Sequence, residues 1–206
     1  MEKCKEKIIV FDMGGVLIDL NIEKVLKKYF REEYCEKIAS EVFYGKEWRD
    51  MDAGIRRSED VIPEILPKFP EEIRPLLGEM ISNFYPYMPP IPETEELVVR
   101  LKKAGYKVYL LSNASARFFD EYQNIPALRH FDGFFISALY HILKPNKEIY
   151  EAFCNKFSLN PENCFFIDDM RANIEGAREY GMQGFVFDTR DYASLEKELN
   201  AFGVYF

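Results

Sequence analysis

The hydrophobic pattern of this chain changes twice. It opens with the apolar run Ile8-Ile9-Val10-Phe11, too short for a helix and bounded by charge before it and glycines after it, which predicts a buried strand. From about residue 20 to 90 the spacing becomes helical. Ile22, Val25, Leu26, Tyr29 and Phe30 recur at helix spacing, then Cys35, Ile38, Ala39, Val42 and Phe43, then Ile73, Leu76, Leu77, Met80, Ile81 and Phe84. No strand pattern interrupts these stretches, and Tyr85-Pro86-Tyr87-Met88-Pro89-Pro90-Ile91-Pro92 reads as a return linker.

From residue 93 onward helices and strands alternate. The pattern predicts helices over 95–104, around 118–122, over 147–157, near 174–180 and near Leu195, separated by strands over 107–111, 134–137, 164–167 and 185–187. Alternation of this kind makes an α/β protein: a parallel sheet whose strands are covered on both faces. There are no internal repeats and no low-complexity segments.

The residues that end the strands bring in chemistry. Asp12 follows the first run and precedes Met13-Gly14-Gly15, and open α/β sheets place their sites at such carboxyl ends. Glycines there let the chain turn sharply and let amides converge on an anion. The second run ends in Ser112-Asn113, the fourth in Asp168-Asp169, and between them Lys144 stands before Pro145. Each feature alone also reads blandly. Ser and Asn are common N-caps, an acidic pair suits the start of a helix, and a single lysine is usually a solvated charge. Together, a carboxylate, a hydroxyl, a lysine and an acidic pair make the set that holds phosphate beside magnesium.

Composition narrows the classes. The 206 residues are 48% hydrophobic, enough for a packed core in one large domain or a domain carrying an insertion. With 27 basic and 35 acidic residues the net charge is −8, and no long basic run exists to track a nucleic-acid backbone. Cys4, Cys35, Cys154 and Cys164 lack the short paired spacings of zinc sites and read as reduced thiols. No secretory leader precedes the charged stretch Met1 to Lys7, and no apolar stretch approaches membrane-spanning length. These features predict a cytoplasmic protein without a membrane or nucleic-acid partner.

The ordered segments "FDMGGVLIDL", "LLSNAS", "LKPNKEIY" and "FFIDDMRANIEGA" carry a resemblance over nearly the whole chain. With Asp12, Ser112, Lys144 and Asp168-Asp169 in that order, the sequence resembles the haloacid dehalogenase (HAD) superfamily of phosphohydrolases. It looks most like the branch of bacterial sugar-phosphate phosphatases that includes glucose-1-phosphate phosphatase. The resemblance implies a Rossmann-like core, residues 1–19 and 91–206, with strand order 3-2-1-4-5 and Asp12 on the central strand. Residues 20–90 would be an inserted helical cap over the site. It implies a magnesium-dependent phosphatase acting on a small phosphorylated metabolite, such as glucose 1-phosphate, through an aspartyl phosphate.

On that basis Asp12 is the nucleophile, since a carboxylate can attack phosphorus and split hydrolysis into two steps. The implied metal ligands are Asp12, the main-chain carbonyl of Gly14 and Asp169, with Asp168 an alternative or supporting group. Asn173 is a candidate to hold a metal-bound water. Ser112, Asn113 and Lys144 would bind the transferring phosphoryl group, Ser112 and Asn113 from the start of a helix, and Lys144 would stabilise transition-state charge. In the cap, Trp48, Arg49, Asp52, Arg56 and Arg57 flank Gly54 and read either as a substrate-reading loop or as a solvated helix junction. His141 reads as a turn residue near the pocket.

One departure stands out: the usual first motif has a second aspartate two residues on, where this chain has Gly14. The acid that protonates the leaving group is therefore missing from its customary place. Taken alone, this favours esters whose oxygen departs without full protonation, an aldose 1-phosphate over the 6-phosphate. Two other readings stay open at this point. One is a regulatory or phospho-ligand-binding protein with little turnover, the other a 2-haloacid dehalogenase, against which the acidic pair argues.

Overall fold

The computed structural model describes residues 7–206; Cys4 and the charged residues before Lys7 lie outside them. The chain runs β1 (Ile8–Phe11), α1 (Ile22–Tyr29), α2 (Glu32–Ile38), α3 (Lys46–Asp52), α4 (Ser58–Ile65), α5 (Arg74–Ser82), α6 (Pro92–Lys103) and β2 (Lys107–Ser112). It continues with α7 (Phe118–Glu121), β3 (Gly133–Ile136), α8 (Lys147–Phe157), β4 (Cys164–Asp168), α9 (Arg171–Tyr180), β5 (Gln183–Val186) and α10 (Tyr192–Ala201). The five strands form one parallel sheet in the order β3-β2-β1-β4-β5, the order that the resemblance implies.

The apolar runs are continuous because the sheet is buried twice. In β1, Ile9 and Phe11 join the core under α6 and α10, with Leu97, Leu101, Leu195 and Leu199, while Ile8 and Val10 join the core under α8 and α9, with Ile149, Phe153, Ile174 and Ala177. Strands β2 and β4 alternate in the same way: Leu110 and Ile167 on one side, Leu111 and Phe166 on the other. A polar residue would break a layer at any of these positions.

Register then sets the site. Phe11 lies opposite Leu110 on one side and Ile167 on the other, so Asp12, Ser112 and Asp168 emerge at one edge of the sheet. The helices α1 to α5 lie between β1 and α6, and the chain's two crossings into that segment run side by side. Asp19 N donates to Pro89 O at 2.8 Å, and Ile91 N donates to Leu17 O at 2.9 Å.

Three local expectations need correction. Of the two readings around Gly54, the loop is wrong and the helix junction holds: α3 carries Trp48 and Arg49, and α4 follows Gly54 after a short turn. Each is under three turns and buries few apolar residues, so neither makes a visible stripe. Ser112 and Asn113 do not open a helix; α7 begins at Phe118, because the intervening backbone and side chains bond to other loops. The last strand starts at Gln183, two residues before Phe185, with Gly184 packed tightly against Phe166 O. Among the described residues no helix is long and apolar enough to cross a membrane.

Candidate active site

Lys144 is the centre of the sheet-edge cluster. It is only 5% exposed, and its Nζ lies 2.8 Å from Asp12 Oδ1 and 2.7 Å from Asp168 Oδ2. Burial opposes its charge, but the two carboxylates outweigh that and hold the ammonium above the ordinary lysine range. Its backbone is fixed by Asn113: the Asn113 amide donates to Lys144 O at 3.1 Å, and its Oδ1 accepts from Lys144 N at 2.9 Å. Asn113 thus acts here by placing the lysine, a reciprocal link between loops after two different strands.

The two neighbouring aspartates have separate environments. Asp168 is fully buried and satisfied: Oδ1 accepts from Met170 N at 2.8 Å and from Asn173 Nδ2 at 2.9 Å, and Oδ2 accepts from Lys144 and Asn173. It both caps the approach to α9 and anchors Lys144. Asn173 is therefore spent on Asp168, through its side-chain amide, and on Tyr150, whose hydroxyl donates to its carbonyl. Among the described residues Asp169 has no side-chain partner of this kind, and its carboxylate faces the cavity beside Gly15.

Asp12, Asp168 and Asp169 each offer a carboxylate oxygen within 4.8 Å of the others. Crowding like this, with one ammonium among three acids, leaves negative charge in excess. Burial, reinforced by Asp168, pushes Asp12 up to about 6 against the pull of Lys144. Burial, then the charges of Asp12 and Asp168, push Asp169 up to about 7. The cluster is electrostatically incomplete as it stands and suits a hard cation that takes oxygen donors.

Gly15 is the glycine of this turn that the backbone requires. Its φ is +70°, and a Cβ there would lie 2.3 Å from Asp169 Oδ2. Gly15→Ala should therefore cost about 1–2 kcal/mol for the left-handed backbone and push the Asp169 carboxylate from its place. Thermal melting and metal titration of the variant check both effects. Unchanged values would mean that the turn relaxes freely.

Ser112, only 2% exposed, Asn113 and residues 114–116 line a cavity of about 760 Å³ together with Asp12, Gly14, Lys144 and Asp169. The opposite wall comes from the helical segment: Phe43, Trp48, Asp52, Phe84 and Tyr85, with Arg49, Arg56 and Arg57. The rings of Phe43, Trp48 and Phe84 pack on one another at centroid distances of 4.6 to 5.3 Å. The site residues read from the sequence thus line this cavity, except Asp168, which sits behind it, and His141, which does not reach it. His141, with φ of 57°, is a turn residue as expected, but its Nδ1 also lies 2.9 Å from Ala53 O and so links the sheet side to the helical side. Nothing in the sequence singles out Ser137. Its Oγ accepts from Ala114 N at 3.0 Å and donates to Asp52 O at 2.6 Å, contacts that no local pattern announces.

Comparison with known proteins adds the family context. A family model for haloacid dehalogenase-like hydrolases matches residues 6–181. Among curated relatives, a glyceraldehyde 3-phosphate phosphatase of Pyrococcus furiosus is 24% identical, covering 97% of this chain and 88% of its own. A sesquiterpene phosphatase of Aspergillus oryzae is 25% identical, covering 86% and 88%. Among solved structures, a HAD family enzyme of Bacteroides thetaiotaomicron in complex with magnesium has a TM-score of 0.70 at 22% identity, over 93% of this chain and 98% of that one. At that identity the match establishes a shared fold.

Proposed function

The chain belongs to the haloacid dehalogenase-like hydrolases, and we propose that it is a magnesium-dependent phosphatase working through a phosphorylated Asp12. The observation that carries this reading is the excess of carboxylates around one buried lysine beside the cavity. A binding protein for phosphate gains nothing from two acids, Asp12 and Asp169, facing its anion with a third buried behind them. A phosphatase that pairs a carboxylate nucleophile with a divalent cation requires them.

In this reading Asp12, Asp169 and the Gly14 carbonyl hold the metal, with Asp168 kept for Lys144. When bound, magnesium neutralises charge on both anions. The remaining work falls to side chains of this chain. Asp12 attacks phosphorus, the ester oxygen leaves with the bonding pair, and Lys144 balances charge growing on the phosphoryl oxygens. Ser112 and the amides after it orient that group, and Asn113 keeps Lys144 in line. Water then attacks the phosphorus of the aspartyl phosphate and releases inorganic phosphate.

Residues 20–90 act as the cap that selects the substrate, on a core of residues 1–19 and 91–206. We assign the substrate to the small phosphorylated metabolites and, more finely, to sugar phosphates such as glucose 1-phosphate. Support comes from the resemblance and from a cap wall that combines aromatic faces with arginines, which suits a hydroxylated ring. The relatives named phosphatases at near full length agree with the reaction class. Buried free thiols at Cys35, Cys154 and Cys164 fit a cytoplasmic location.

The test is phosphate release from a panel of phosphorylated metabolites, with magnesium and then with EDTA. We expect turnover of at least one sugar phosphate, abolished by the chelator and restored by excess magnesium. Asp169→Ala should raise the magnesium requirement steeply. Hydrolysis indifferent to EDTA, or an unchanged magnesium requirement in Asp169→Ala, would contradict the assigned metal centre.

A further inference from the structure

Gly14 leaves the first motif without a second acid, so the other carboxylates around the cavity matter. The cavity is lined by five carboxylates: Asp12, Asp52, Glu59, Asp120 and Asp169. Asp12 and Asp169 belong to the cation cluster, and Glu59 and Asp120 are exposed. Asp52, the last residue of α3, is half-buried, and its carboxyl group makes no hydrogen bond or ion pair among the described residues. A cavity-facing acid left unpartnered is unusual, because burial without a partner disfavours the charged form.

Its backbone, by contrast, is held firmly to the sheet side. Ser137 Oγ donates to Asp52 O at 2.6 Å, and the same oxygen accepts from Ala114 N, in the loop directly after Ser112. His141 bonds the next carbonyl, Ala53 O. Gly54, at φ of 66°, packs so closely on Ala138 that a Cβ would lie 2.1 Å from its carbonyl oxygen. Three consecutive residues at the end of α3 are thus pinned to the loops that surround the phosphate position. The carboxyl group they present shares the cavity wall with Tyr85 and lies within electrostatic reach of Asp12 and Lys144 across that cavity.

We propose that Asp52 is the general acid of this enzyme, delivering from the cap the proton that a second aspartate in the first motif would otherwise deliver. The proposal rests on the phosphatase reading above. In the first half-reaction a bond forms between an Asp12 oxygen and phosphorus as the ester P–O bond breaks. The electron pair goes to the leaving oxygen, which takes the Asp52 proton and departs as an alcohol. In the second, the Asp52 carboxylate takes a proton from the water that attacks phosphorus, the bond to Asp12 breaks, and both acids return to their starting state. Burial first, and then the charge of Asp12, push Asp52 up to about 7 against the opposing pull of Lys144. A group in that range is populated in both forms near neutrality, as an acid that later serves as base must be.

The consequence is that Gly14 does not leave the enzyme dependent on good leaving groups. In the wild type the preference for an anomeric phosphate should be slight, and it should surface only when Asp52 is removed. The experiment measures kcat/KM, which reports the steps through departure of the alcohol, for p-nitrophenyl phosphate and for the fastest alkyl phosphate of the panel. Asp52→Asn should lose on the order of 10²–10⁴-fold on the alkyl ester, and at least about ten times less on p-nitrophenyl phosphate, whose phenolate leaves unprotonated. Residual turnover of the aryl ester also shows that the variant is folded.

Adding Gly14→Asp to Asp52→Asn should restore part of the alkyl activity. The new side chain would meet only the flexible end of Leu20, 2.5 Å from its Cβ position. Equal losses on both esters, or none on the alkyl ester, would overturn the assignment. A wild-type protein that releases phosphate from no ester would instead overturn the phosphatase reading, and this assignment with it.

Discussion

Asp12→Asn should lower phosphate release by about 10⁴-fold or more, the scale seen when a nucleophile is removed, and leave the fold intact. Asparagine keeps the shape of the side chain but cannot attack phosphorus and carries no charge. The stability side of the prediction follows from the crowding. Asp12 shares Lys144 with Asp168, and its ionised form is disfavoured by burial and by Asp168. A neutral residue there relieves repulsion, so without metal the variant should melt no lower than the wild type. Melting and turnover measured on one preparation check both halves. Undiminished hydrolysis by the folded variant would remove Asp12 from the chemistry.

Lys144→Ala should slow the chemical step by about 2–4 kcal/mol, the usual cost of removing one preorganised charge contact to a transition state. The loss should fall mainly on kcat, because the growing charge on the phosphoryl oxygens is greatest in the transition state. The same change strips the ammonium from Asp168, which is wholly buried and keeps only its bonds to Asn173 and Met170 N. Breaking such a pair from one side costs about 3–5 kcal/mol of stability, so the assay belongs well below the variant's melting temperature. A change confined to KM would place Lys144 in ground-state binding. Unaltered melting would show that Asp168 does not depend on it.

Most of the sheet is legible in the sequence because each strand is a run of apolar residues ended by a polar one. Ile8 to Phe11 and Cys164 to Ile167 align by their pattern alone, and their pairing brings Asp12 and Asp168 together. The strand order itself comes from the resemblance. Less legible are contacts between loops far apart in the chain. Asn113 reads as a phosphate-binding or capping residue, yet its amide is used on Lys144, and nothing local encodes that pairing. Asp168 and Asp169 are identical in type and adjacent in sequence; only the donors around Asp168 separate anchor from open carboxylate. Asp52 is one of several polar residues around Gly54. Its place on the cavity wall depends on Ser137 and His141, both contributed by the segment after β3.

Phosphate is expected to pass through Asp12. This is tested most directly by acid-quenching the enzyme during turnover of its best substrate with magnesium, and by weighing the peptide that contains Asp12 by mass spectrometry. One added phosphoryl group is expected on Asp12, present only while substrate lasts and absent from Asp12→Asn. Steady phosphate release with no phosphoryl group on that peptide at any quench time would contradict it.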